Sequence, residues 1–558
     1  MTHRAAVAAA LASAGAAAAA FASYTRAGEL ALLERPWDAS ALAWVAIAAI
    51  AAVALLPRLP LLAAVVWLAA AGAIALVARL EAIALTAAAA ACLFVVAAVS
   101  ALAGPVRAAP RRTFSVVAAA VVAIAVLGLI GSRIHHAYLG PTHPSSSLRA
   151  LPVDLVEWAW AGAVTADAFT VTARIAANAL AAGQPELIVR TAADGRVVAR
   201  VPASSVSPAR IARFEVSGLQ AAARYRWTIA VGGREDHART GSLQTFPLGP
   251  ASFAIAFGAC AGTGSNGQVF DRIREASPLL FIHTGDFHYE DIDDPAPGAI
   301  REAYSRSLRA PAQQALWLNT PVAYTWDDHD YGGNDSDRTT RSREAARSVY
   351  RELVPHYPLP LDGPIAQSFD IGRVRVILTD TRSERDPSSR PDGPEKSMLG
   401  ERQLAWLFDQ LLAARDSAAL VIWVNSVPWI SSESSSDNWG AYTAERRRVA
   451  EFIAEHDIRN LIMLSGDAHM LAADDGTNNR YTADAAGPGF PVYHAAALDR
   501  RGSVKGGPYS EGAYPGGGQF GLLEIDDRGN QIHVTFSGRN WRGDELVRHE
   551  VTFPVALP

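Results

Sequence analysis

The chain has 558 residues, half of them apolar, a formal net charge of −5 and two cysteines. The length allows three or four domains, and the weak net charge implies no large basic face for nucleic acid. Cys92 lies inside an apolar run and Cys260 stands alone in a mixed-composition region, which excludes a disulfide framework.

Residues 1–132 are dominated by Ala, Val, Leu and Ile. A bilayer core needs about 20 apolar residues per helix, and the runs 40–56, 59–78, 82–104 and 113–132 meet that length, bounded by charge or proline. A fifth run, 5–23, is mostly Ala and reads either as a first span or as a cleaved signal peptide. Both alternatives place Arg107, Arg111 and Arg112 inside and the C-terminal part outside. The expectation is four to five transmembrane helices within 1–135, a lipid bilayer as partner, and a multi-pass location in a bacterial-type cell membrane with an extracytoplasmic catalytic domain.

A Pro/Ser-rich linker, 136–149, precedes a change to period two. The segments 169–175, 186–190, 211–216, 224–231 and 242–246 read as short strands, with turns at Ala193-Asp194-Gly195 and Gly232-Gly233. This spacing predicts a small β-sandwich over 150–249. Gly218-Leu219 followed by Tyr225 and Trp227 resembles the end of a fibronectin-III-like module.

From 250 to 558, apolar runs of buried-strand length alternate with helical segments, predicting an α/β domain of sheets flanked by helices. Strands are predicted at 252–257, 279–283, 322–326, 374–378, 420–424 and 460–464. Helices are predicted at 268–276, 338–353, 401–414 and 444–456. Asp, His, Cys, Asn and Tyr collect just after the strands, where α/β sheets place ligand sites. One Gly-Asp or Asp-His would be an ordinary cap or turn; four or five such strand ends together point to a shared site. Gly285-Asp286-Phe287-His288-Tyr289 offers a carboxylate and a phenol, and Asp467-Ala468-His469 a carboxylate and an imidazole on one side of an extended segment. Such donors suit paired cations ~3.5–4 Å apart, which neutralise phosphoryl oxygens and activate water.

These stretches resemble the alkaline phosphatase D (PhoD-like) metallophosphoesterase family. The matching residues are Phe257-Gly258-Ala259-Cys260, Thr284-Gly285-Asp286-Phe287-His288-Tyr289, Trp326-Asp327-Asp328-His329-Asp330-Tyr331-Gly332-Gly333-Asn334-Asp335, Leu378-Thr379-Asp380-Thr381-Arg382 and Ser465-Gly466-Asp467-Ala468-His469. The resemblance implies a phosphoric ester hydrolase with one ferric ion and divalent ions, calcium among them. Cys260, Asp286 and Tyr289 are implied to hold iron, Asp327 and Asn334 to serve the divalent side, and Asp467 and His469 to complete the cluster. Either Asp327 or Asp328 is the direct ligand, the other orienting His329 near the leaving group. Arg382 either binds phosphate or salt-bridges within the fold, and His288 is expected to be structural. The expected chemistry is in-line attack of a metal-bound hydroxide on a phosphomonoester or phosphodiester. The alternatives are a purple-acid-phosphatase-like monoesterase and a non-catalytic cell-envelope binding protein with a degenerate site. Oligomeric state is not specified by the sequence.

Overall fold

The computed structural model describes residues 145–434 and 437–555. Two large sheets face one another. The first has ten strands and includes the parallel set Ser252–Gly258, Leu280–His283 and Val322–Tyr324. The second has seven and includes the parallel set Val374–Leu378, Leu420–Val424, Leu461–Ser465 and Val492–Ala495. Alternate side chains of these strands go to opposite faces. Ile255, Phe257, Ile282, Val376, Leu378, Ile422 and Leu464 fill the core between the sheets. The intervening Ala256 and Phe281 pack under the helices Gln268–Glu275, Pro297–Arg309, Pro311–Asn319 and Arg343–Leu353. Ile377, Val421, Trp423 and Met463 pack under Glu401–Ser417 and Thr443–Glu455. The result is four layers, helix–sheet–sheet–helix. Burial on both faces is why these strands read as unbroken apolar runs.

Residues 150–249 contribute strands to two sheets. Val156–Gly162, Phe169–Ile175 and Ile211–Val216 face a second sheet built on Pro185–Thr191 and Arg224–Val231, with Trp227 fully buried between them. The first of these sheets continues into the ten-stranded sheet, because Gly162 pairs with Val322 in parallel register.

Some boundaries differ from expectation. The helix predicted from 338 begins at Arg343, because the Asp293 carboxylate takes the backbone N–H of Arg341 and Ser342 and holds 338–342 as a turn. The helices Pro297–Arg309 and Pro311–Asn319 were not predicted, although each opens on a proline at its first turn. Nor were the antiparallel strands Gln519–Asp527, Gln531–Asn540 and Glu545–Pro554, which extend the ten-stranded sheet.

The expectation of transmembrane helices requires correction. Among the described residues no helix is long and apolar enough to cross a membrane. The longest, Glu401–Ser417, has 17 residues and carries Glu401, Arg402, Asp409, Arg415 and Asp416, charges that a bilayer core penalises. The runs 5–23, 40–56, 59–78, 82–104 and 113–132 lie outside the described residues. Membrane spans, and with them a multi-pass membrane location and a lipid bilayer partner, are thus not supported by the described helices.

Candidate active site

The parallel strands of both sheets deliver their polar residues to one cleft. Cys260 follows Ser252–Gly258, Asp286 and Tyr289 follow Leu280–His283, and Asp327 to His329 follow Val322–Tyr324. From the second sheet come Arg382 after Val374–Leu378, Ser426 after Leu420–Val424, and Asp467 with His469 after Leu461–Ser465. The ends are tied across the sheets: Trp326 Nε1 donates to Asp380 at 2.8 Å and Thr325 Oγ1 to the Thr379 carbonyl at 2.9 Å.

Asp286 is central. Its Oδ2 accepts from the Tyr289 hydroxyl at 2.7 Å and from the Cys260 thiol at 3.4 Å. The Tyr289 oxygen also lies 3.0 Å from His469 Nε2. Asp327 Oδ1 accepts from Arg382 Nε at 2.6 Å and Ser426 Oγ at 2.8 Å, and Asp467 Oδ1 accepts from Lys505 Nζ at 2.7 Å. The other oxygen of each carboxylate, Asp286 Oδ1, Asp327 Oδ2 and Asp467 Oδ2, is buried with no protein partner. Leaving such an atom unsatisfied costs about 1–3 kcal/mol, more for a charged group, so three in one cleft are a physical argument for cations there.

The donor geometry agrees. The ligand atoms of Cys260, Asp286 and His469 lie within 4.8 Å of one another, as do those of Asp286, Asp328 and His329, and those of Asp328, Asp335 and Asp437. Asp286 is common to the first two groups and Asp328 to the last two, so the candidate positions form a row linked by shared carboxylates. Metal–ligand bonds of about 2.0–2.6 Å accommodate donors at these separations, and the residues present therefore fit a multi-metal cluster.

Backbone conformation at the site is unusual. Cys260, Asp286, Asp335, Asp467 and His469 all adopt positive φ, from 35° at His469 to 70° at Asp467, a region that costs most residues energy and clusters at functional sites. The segment 467–469 is consequently a tight turn, not the extended stretch expected, and it sends Asp467 toward Lys505 and His469 toward Tyr289. Gly285 has φ +113°, and a Cβ there would lie 2.4 Å from the Asp327 Cβ. Only glycine lets the two carboxylate-bearing loops approach this closely.

Burial pushes the Asp286 and Asp467 carboxyls well above the usual range, and Asp327 up to about 6, where Arg382 pulls back against burial. Asp328 ends below its ordinary value because Arg382 and His329 outweigh its burial. Burial raises the Cys260 thiol and the Tyr289 phenol, and lowers His469 to about 3, so its imidazole is neutral and able to ligate. Without cations, burial favours the neutral form of most of these donors, whereas binding metal requires their deprotonated forms.

Other predicted residues are placed as follows. His329 Nδ1 bonds the Asp291 carboxylate, and its ring lies 4.1 Å from that of Tyr289. Arg382 is fully buried between Asp327 and Asp437, its Nη2 donating to Asp437 Oδ2 at 2.9 Å. This is the internal salt bridge, one of its two expected roles. Asn334 is exposed, while its neighbour Asp335 brings a carboxylate to Asp328 and Asp437. His288 is buried edge-on to Tyr304 and is not one of the grouped donors. Sequence reasoning missed Asp291, Asp335, Asp437, Ser426 and Lys505. Asp335 closes the Trp326–Asp335 motif and was within reach; Asp437 ends a Ser-rich run that reads as plain loop.

Residues 255–493 match the family model described as PhoD-like phosphatase. The chain is 27% identical over 180 residues to alkaline phosphatase D of Bacillus subtilis (strain 168), a match covering 27% of this chain and 31% of that relative's length. It shares its fold with a solved structure of PhoD at a TM-score of 0.57 and 18% identity, over 74% of this chain and 94% of that one. Residues 255–493 therefore carry the likeness to PhoD-like phosphatases, and the fold of the chain is shared with a solved PhoD.

Proposed function

We propose that the protein is a metal-dependent phosphoric ester hydrolase acting on phosphomonoesters or phosphodiesters. The observation that carries this reading is the row of three overlapping donor groups together with three buried aspartates that each keep an oxygen without a protein partner. When bound, metal ions would neutralise phosphoryl oxygens and lower the pKa of the attacking water. Cys260, Asp286, Tyr289 and His469 form the set suited to a ferric ion, since thiolate and phenolate favour it. Asp327, Asp328, Asp335, Asp437 and Asp467 make an oxygen-rich side suited to divalent ions such as calcium.

The remaining residues position and move protons. Arg382 holds Asp327 and Asp437 in place and offsets part of their charge. His329, held by Asp291 beside Tyr289, is the group placed to protonate a leaving alkoxide. Residues 150–249 serve as a packing partner of the catalytic domain, 250–558.

The test is turnover of nitrophenyl phosphate and bis-nitrophenyl phosphate by the full chain loaded with iron and calcium. Hydrolysis that disappears on chelation and returns with metal supports the reading. Full metal content with no turnover of either ester sinks it and favours a binding protein.

A further inference from the structure

The loop 499–508, between the strands Val492–Ala495 and Ala513–Pro515, carries Arg500 and Lys505. It is stitched to the site by backbone bonds. Asp499 N–H donates to the Cys260 carbonyl at 3.2 Å, Ser503 N–H to the His469 carbonyl at 3.0 Å, and Gly507 N–H to the Ile430 carbonyl at 2.7 Å. Its packing is close. A Cβ on Gly502 would lie 2.4 Å from the Gly516 nitrogen, and one on Gly506, at φ +71°, would lie 2.3 Å from the Ile430 oxygen. The loop is thus a fixed strap.

The strap presents two cations at the site. Lys505 Nζ lies 2.7 Å from Asp467 Oδ1 and keeps 37% of its side chain exposed. An ammonium has three donors, so the one bond to Asp467 does not use them all. The Arg500 guanidinium carbon sits 3.8 Å from the centre of the Tyr289 ring, the ring whose hydroxyl joins Asp286 and His469. Arg382, by contrast, is fully buried and engaged by Asp327 and Asp437, so its guanidinium is not available to a ligand entering from solvent.

We infer that Lys505 and Arg500 on this strap bind the non-bridging oxygens of the substrate's phosphoryl group, and that they favour doubly charged phosphomonoesters over singly charged diesters. The inference rests on the hydrolase reading for its substrate class. The physical basis is that two cations held in fixed positions gain most from a ligand bearing two charges, and a rigid support means little ordering is needed when it binds.

The experiment uses the full chain loaded with iron and calcium. Inorganic phosphate binding is measured by calorimetry in the wild type and in Lys505→Gln, Lys505→Arg and Arg500→Gln, with metal content determined for each. Lys505→Gln and Arg500→Gln are expected to weaken phosphate binding about 10- to 100-fold, the scale of a hydrogen bond between charged groups, with metal content unchanged. KM for nitrophenyl phosphate should rise by a similar factor and KM for bis-nitrophenyl phosphate by less, while Lys505→Arg keeps most of the affinity. Unchanged phosphate affinity in both Gln variants, equal KM rises for the two esters, or metal loss that tracks the affinity loss would overturn the inference; the last would mean that Lys505 only holds Asp467. A wild type that binds phosphate through the strap but hydrolyses neither ester would refute the hydrolase reading and leave the anion site standing.

Discussion

Arg382→Met tests the electrostatic design of the site. The guanidinium is fully buried, 2.6 Å from Asp327 Oδ1, 2.9 Å from Asp437 Oδ2 and 4.0 Å from Asp328. Removing it leaves buried carboxylates uncompensated, a change that costs ~3–5 kcal/mol when one partner of a buried pair is deleted. The cost must depend on pH. Asp327 has a folded pKa of about 6, above its ordinary 3.8, with burial raising it and Arg382 opposing. A raised carboxyl pKa means that the native state binds more protons than the unfolded state, so stability falls as pH rises from about 4 through 6. Without Arg382 the folded pKa climbs further and the fall continues to higher pH. The stability gap between wild type and variant should therefore be larger at pH 8 than at pH 5.5, where Asp437, held below the usual carboxylate range by Lys505 and Arg382 against its burial, is already ionised and keeps part of the cost. Urea unfolding of the full chain in chelator at both pH values measures it. A gap below about 1 kcal/mol at pH 8, or one equal at the two pH values, would refute the reasoning.

Other outcomes follow from the same geometry. Asp286→Ala removes the carboxylate common to two donor groups, and should abolish ester hydrolysis and lower the metal content per chain by elemental analysis; retained turnover would move the site elsewhere. Tyr289→Phe deletes the hydroxyl that bonds Asp286 and lies beside His469, and should remove any visible absorption of the iron-loaded protein that arises from a phenolate ligand, with melting temperature changed little. Because burial raises Asp286, Asp467 and Asp327, the chelated protein should lose thermal stability between pH 5 and 8. Iron and calcium should restore it, with protons released on uptake; melts that show the same slope with and without metal would contradict this. Gly285→Ala places a Cβ 2.4 Å from that of Asp327 at φ +113°, and should cost about 1–3 kcal/mol, read as a lower denaturation midpoint together with weaker metal retention.

The amino-acid sequence alone determined the strands and the chemistry at their ends. Residues 374–378 and 420–424 appear at their predicted bounds, because a strand buried on both faces must be apolar throughout and its register with its neighbours does not alter that. The Cys260, Asp286 and Asp327 motifs were legible because each is local, a short turn after a strand. Tertiary structure decided what those motifs meet. Arg382 reaches Asp327 and Asp437, each 55 positions away, and Lys505 reaches Asp467 across 38. Such contacts depend on strand order and on how two sheets face one another, which no local pattern encodes. The same holds for the turn at 467–469: its composition permitted an extended segment, whereas Asp467 and His469 take positive φ. The apolar N-terminal runs mark the opposite limit. Hydropathy registers length and composition, whereas the described fold owes its stability to side chains interlocked between two sheets and their covering helices.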